Sequence, residues 1–187
     1  MTSSSSSSNR EERRAAIEAK LREGVGTNHG MGRFSDSLMR SLRIDRYDEG
    51  NDNSPVSLIL SFQVSQDLCN SFDTLHGGAQ ATAVDIFTSI LLYQVSPVPS
   101  VTTDLHVSCV SPAPLGSRVI CVCKADKHNG ALQFSSCDLY REVADGEGIL
   151  PPTQRRRRVL VAKGLHTKYV LKKRAKGFGR EQQRSKL

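Results

Sequence analysis

The stretch from Asn70 to Tyr93, N-S-F-D-T-L-H-G-G-A-Q-A-T-A-V-D-I-F-T-S-I-L-L-Y, constrains this chain more than any other. A His-Gly-Gly turn, His76 to Gly78, runs straight into a long segment of small and aliphatic residues whose single charge is Asp85. The segment is long enough for a helix over about 77–94, ended by Pro97-Val98-Pro99. A carboxylate in such a run is costly to bury without a partner or a chemical task. The remaining residues are therefore read as the frame that holds this helix, aims its N-terminus and meets Asp85.

The frame is mostly strand. Phe34, Leu38 and Leu42 at helical spacing predict a short helix, with Ser35 or Asp36 available to cap it. A strand near 42–47 and a turn cluster at 48–55 follow. Val56, Leu58, Leu60, Phe62 and Val64 then alternate along a second strand, pairing with the first as a hairpin. Beyond the long helix, strands are expected at 101–110, 118–127, 132–143 and about 159–171, with turns at Pro112 to Gly116 and at Asn129-Gly130. One helix before two strands, then a long helix and four strands, gives an α+β fold with an antiparallel sheet packed on the helix. Residues 34–171 form this domain, and 144–158 is an insertion carrying Pro151-Pro152 and Arg155 to Arg158. Residues 1–33 read as a disordered Ser-rich tail with a frayed helix whose apolar stripe, Ala15, Ile17 and Leu21, is thin.

The formal charge of +7 suggests nucleic acid until its distribution is followed. Residues 1–33 carry 6 basic and 4 acidic side chains, residues 34–171 carry 13 and 14, and residues 172–187 carry 7 and 1. The excess lies in the tails, so no nucleic-acid partner is expected of the domain. Cys69, Cys109, Cys121, Cys123 and Cys137 form no C-x-x-C pair, which argues against a metal site; four of them fall in strand-like runs and read as small buried residues. No apolar run reaches the ~18 residues of a membrane span. The last three residues, Ser185, Lys186 and Leu187, spell the address read by the peroxisomal import receptor. A basic tail, 172–184, is expected to present it in the open, so the protein is expected in the peroxisomal matrix or a related organelle, or in the cytoplasm if the address is inactive.

Chemistry can be assigned to the long helix from its spacing. Its first turn offers unpaired N–H groups and a positive dipole end, and Gly77 lets a carbonyl oxygen approach that backbone. This is the makings of an oxyanion hole. Asp85 lies eight residues beyond Gly77, ~12 Å along the axis. One helix cannot bring the two together, but antiparallel helices in a symmetric dimer can.

The segment L-H-G-G-A-Q-A-T-A-V-D, followed by V-T-T-D-L-H-V-S-C-V-S-P-A-P-L-G and closed by L-V-A-K-G-L-H-T-K, resembles the hotdog-fold acyl-CoA thioesterases, in particular the group of phenylacetyl-CoA thioesterases and thioesterase superfamily members. The likeness runs from about 34 to 171, leaving out both tails and the Arg-rich insertion, and implies an antiparallel sheet wrapped around the central helix, a homodimer or dimer-of-dimers tetramer, an acyl-CoA substrate and no cofactor. It implies that Gly77 polarises the thioester carbonyl and that Asp85 acts as general base or nucleophile from the other subunit. Asn70 matches the amide that helps hold water or thioester, with a turn asparagine as its rival reading. His76 is expected to orient Asn70 or the turn. Thr102 falls where the family commonly has a serine that positions the water; it keeps the hydroxyl and adds a methyl. For coenzyme A the resemblance points to Cys109, Val110, Ser111, Pro112, Lys127, Asn129, Gly130, Ala131, Leu132 and Tyr169. Lys127 and Lys168 are candidate phosphate contacts, and Pro114 replaces a family lysine. His166 reads as a half-buried strand histidine without a catalytic role. A non-catalytic acyl-CoA-binding protein and a hotdog hydratase or dehydratase are the alternatives; Asn70, Gly77 and Asp85 together favour hydrolysis.

Overall fold

The computed structural model describes residues 11–12, 15–19, 23, 35–51, 54–143 and 157–171. Its elements are α1 (Asp36–Met39), β1 (Arg43–Asp48), β2 (Val56–Gln63), a 3-10 turn (Gln66–Leu68), α2 (Gly77–Val95), β3 (Ser100–Cys109), β4 (Arg118–Lys127), β5 (Leu132–Val143) and β6 (Arg157–Val170). The six strands form one antiparallel sheet in the order β1-β2-β4-β5-β6-β3. Both predicted hairpin partners, β1 and β2, pair as expected.

The sheet closes on α2 through one stripe of that helix: Gln80, Ala83, Val84, Phe87, Thr88, Leu91 and Leu92 recur at three- and four-residue steps and are buried. Phe87 meets Phe62 of β2 at 6.1 Å between ring centroids. In β2 the alternating row Leu58, Leu60 and Phe62 faces the same core. Gly164 of β6 sits under Val84, where an added Cβ would come within 2.5 Å of both Val84 methyl groups. Glycine in mid-strand is thus what lets helix and sheet approach here.

Several expectations need correction. The first helix is a single turn, because the chain must enter β1 and pair Arg43 with Ser61; Leu42 lies outside it, and Ser35 makes no side-chain cap bond. Arg157 and Arg158 are strand residues, opposite Val143 and Glu142 of β5. Burial claims Cys121, Cys123 and Cys137 and pushes the Cys121 and Cys123 thiols upward, but Cys109 is exposed although it belongs to a strand. Near the N-terminus, residues 11–12 and 15–19 are helical; Ile17 packs on the core and the Glu18 carboxylate accepts the Tyr47 N–H at 2.9 Å. That contact covers part of the β1 edge, so this helix docks more firmly than its thin stripe predicts. The Ser run, Phe34, residues 144–156 and the tail from 172, with Ser185 to Leu187, lie outside the described residues.

Candidate active site

The residues singled out in the sequence fall into two groups at different ends of β3. The first surrounds the start of α2. His76 is the N-cap, extended at φ −60° and ψ 140°, and its Nδ1 accepts the Gly78 N–H at 2.8 Å. His76 thus orients the turn itself. With Gly78 satisfied, the Gly77 N–H has no acceptor among the described residues and stands open. Asn70 ties the preceding turn: its Oδ1 accepts from the N–H groups of Phe72 and Thr74 and from the Thr74 hydroxyl, at 2.9, 3.2 and 3.1 Å. No bond joins it to His76 among the described residues. Its amide oxygen is structural, and its NH₂ group remains the part that can meet a ligand.

Cys109 closes this end, its Sγ lying 3.6 Å from where a Cβ on Gly77 would stand. Val110 and Ser111 follow, both donating their N–H to the Val161 carbonyl, and Pro112 is exposed.

The second group surrounds Asp85. Its side chain is 44% exposed, so water reaches it, yet it is anchored: Asp85 Oδ1 accepts from the Thr102 hydroxyl at 3.2 Å and lies 3.4 Å from His166 Nε2. A break in register between Thr102 and Asp104 turns Thr102 toward the helix, as bulges often do beside sites. Nearby, Lys127, Asn129, Gly130, Ala131 and Leu132 gather at the β4–β5 turn, where Gly130 takes φ +109°. Tyr169 pairs with Leu132 on one side and Val101 on the other, so these residues share one end of the sheet. From Thr102 to Cys109 the strand runs seven residues, about 23 Å. A single protomer therefore presents two half-sites.

The sequence of a known family now bears on this geometry. The family model of the Thioesterase superfamily matches residues 72–145. Acyl-coenzyme A thioesterase 13 of Homo sapiens is 33% identical over 118 residues, which span 63% of this chain and 75% of that one. The chain belongs to the thioesterase superfamily. Its fold is the expected hotdog: thioesterase superfamily member 2 from Mus musculus superimposes with a TM-score of 0.62 at 25% identity, covering 82% of this chain and 96% of that one. A hypothetical thioesterase protein from Streptococcus pneumoniae, solved with coenzyme A, gives a TM-score of 0.55 at 14% identity over 73% and 93% of the two chains, a likeness of fold.

In this thioesterase two residues behave differently from their sequence reading. His166 is fully buried, not half-buried, and makes contacts at both ring nitrogens: Nε2 is 2.9 Å from the Thr102 hydroxyl and Nδ1 is 2.6 Å from that of Thr88. Burial pushes its pKa down, the Lys168 ammonium adds to this, and Asp85 and Asp104 oppose it. Lys168 is also buried, with its Nζ donating to Ser89 Oγ at 2.9 Å; burial lowers its pKa and Asp85 counteracts. It faces the helix, so its expected reach to a phosphate is corrected, and Lys127, exposed at the turn, is the cation left there. The available signal was the alternation Gly164, His166, Lys168, which puts a histidine and a lysine in the inward row of a strand. Among the described residues no cluster of His, Cys, Asp or Glu could hold a metal ion, and no helix is long and apolar enough to cross a membrane.

Proposed function

We propose that this protein hydrolyses acyl-CoA thioesters to free acid and coenzyme A at a site shared between two subunits. The observation that carries the proposal is the separation just described: an open Gly77 N–H at the helix start and an anchored, water-accessible Asp85 eight residues later. The acyl-CoA substrate is also that of the thioesterase 13 relatives.

The chemistry follows from the groups present. The Gly77 N–H and the positive end of α2 draw the thioester oxygen and stabilise the charge it gains. Asp85 takes a proton from water as the water oxygen bonds to the carbonyl carbon. Collapse of the tetrahedral intermediate breaks the C–S bond, and the departing thiolate receives the proton from Asp85. Thr102 fixes the carboxylate, and the Asn70 NH₂ is placed to hold the thioester or the water.

Pairing is supported by β3. It is a ten-residue sheet edge, most of it exposed, and such an edge is a template for a second strand. Two β3 strands side by side and antiparallel would set the Gly77 end of one protomer against the Asp85 end of the other. The same pairing would bring Cys109 to Pro112 toward the partner's Lys127-to-Leu132 turn and Tyr169, together spanning one coenzyme A.

Purified full-length protein is expected to release thiol from acetyl-, hexanoyl-, palmitoyl- or phenylacetyl-CoA in a chromogenic thiol assay. Asp85→Asn is expected to lower turnover by roughly 10²–10⁴-fold without changing the elution volume of the dimer. Wild-type turnover at background on all four would sink the reading. Delivery to the peroxisome through Ser185, Lys186 and Leu187 belongs to the same proposal. A tagged protein lacking those three residues should stay in the cytosol; an unchanged distribution would exclude the address.

A further inference from the structure

We propose that Thr88 and His166 are positioning residues that, through Thr102, make Asp85 an acceptor matched to the proton it receives during hydrolysis. The proposal rests on the hydrolase reading above and adds two residues that touch neither substrate nor water.

Proton directions can be assigned from the hydrogen-bond network, starting at its buried end. Thr88 is fully buried on α2, and its Oγ1 lies 2.6 Å from the Val84 carbonyl oxygen. Two oxygens so close need a proton between them, and a carbonyl has none to give. The Thr88 hydroxyl therefore donates to Val84. It has no second proton, so the 2.6 Å contact with His166 requires that Nδ1–H donate to Thr88. In a neutral imidazole the other nitrogen is then a bare lone pair. Burial and the neighbouring Lys168 ammonium favour that neutral ring, against Asp85 and Asp104.

The Nε2 lone pair faces two groups, Thr102 Oγ1 at 2.9 Å and Asp85 Oδ1 at 3.4 Å. Thr102 has one hydroxyl proton for two acceptors, since Asp85 Oδ1 is also within 3.2 Å. While Asp85 is ionised, one acceptor must go without. Once Asp85 takes the proton released by the attacking water, the conflict ends. Asp85 O–H donates to Thr102, Thr102 to His166 Nε2, His166 Nδ1–H to Thr88, and Thr88 to the Val84 carbonyl. All four donors then point one way along the chain, an arrangement in which each bond polarises the next. Passing the proton to the leaving thiolate restores the starting state. The network thus fits the proton-loaded carboxyl better than the ionised one, which is what a general base needs in the transition state.

The test has a spectroscopic and a kinetic arm, both on the full chain. With ¹⁵N-labelled histidine, and the His166 ring signals identified by their loss in His166→Gln, wild-type protein should show Nδ1 protonated and Nε2 bare. Thr88→Val keeps the shape and removes the hydroxyl. On hexanoyl-CoA it should lower kcat about tenfold, the scale of one hydrogen bond, with KM within about twofold. Thr88→Ser should restore kcat to within about threefold. An Nε2–H tautomer in active wild-type protein, or a Thr88→Val kcat equal to wild type, overturns this proposal alone. Absence of thiol release by wild type overturns the hydrolase reading and this one with it. If Thr88→Val does not fold, the wild-type tautomer decides.

Discussion

The turn at His76 to Gly78 and the cluster around Asp85 share a helix but are built differently. The first works through backbone: one N–H is left open while a histidine occupies its neighbour, and the residues are exposed. The second works through side chains drawn from α2, β3 and β6, with Thr88 and His166 buried behind the exposed Asp85 carboxylate and Thr102. Backbone geometry is fixed by a short local sequence. The side-chain cluster depends on three elements arriving in register, so it is the half more exposed to disruption from a distance.

The largest expected effect breaks the two halves apart. If each site takes its glycine from one protomer and its carboxylate from the other, Asp85→Asn and Gly77→Val should each be inactive, yet regain activity on mixing. Refolding them together gives heterodimers in which one of the two sites carries both defects and the other none. About a quarter of wild-type turnover is then expected for random pairing in a two-fold dimer. Recovery absent from a mixture whose subunits demonstrably exchange would place both residues of a site in one protomer.

A second comparison sets two glycines against each other. At Gly77 an added methyl would meet, among the described residues, only Cys109 Sγ at 3.6 Å, an ordinary contact, whereas at Gly164 it would collide with Val84. Gly164→Ala is therefore expected to cost ~1–3 kcal/mol of stability through overpacking, seen as a drop of several degrees in Tm. Gly77→Ala should leave Tm unchanged while crowding the thioester oxygen, at a cost in rate of up to ~10²-fold for a displaced reacting group. Equal Tm losses in the two variants would mean that Gly77 serves packing, not approach.

The same contrast explains what could be read in the sequence. The limits of β2 and α2 were legible because the alternation of the one and the bounded apolar run of the other are local patterns; the single-turn α1 and the start of β6 at Arg157 were not, because pairing with β2 and β5 sets them. The His-Gly-Gly turn announced the backbone half for the same reason. The other half was only partly legible: Asp85 stood out as a lone charge, but its neighbours come from far along the chain. His166 meets Thr88 across 78 residues, and Lys168 meets Ser89 across 79. The register break after Thr102, which turns that hydroxyl inward, has no local sequence cue. Nor did a thin stripe at Ile17 reveal that Glu18 would find a backbone partner on β1.

The smallest expected effect is on stability against pH, and it isolates the buried half. Burial and Lys168 hold the His166 pKa below its ordinary value of about 6.5. As pH falls through that value, the unfolded chain binds the proton before the folded one does. Stability conferred by the neutral ring is thus complete above about pH 6.5 and declines as pH falls toward the lower folded value. Melting wild type and His166→Gln between pH 8 and pH 5 should show the wild-type advantage in Tm shrinking through the acid half of that range. Subtracting the two curves cancels the carboxylates that titrate in both proteins. A difference that stays constant would mean that protonation of His166 is no harder in the fold than in the open chain, and the neutral imidazole behind Thr102 would lose its physical basis.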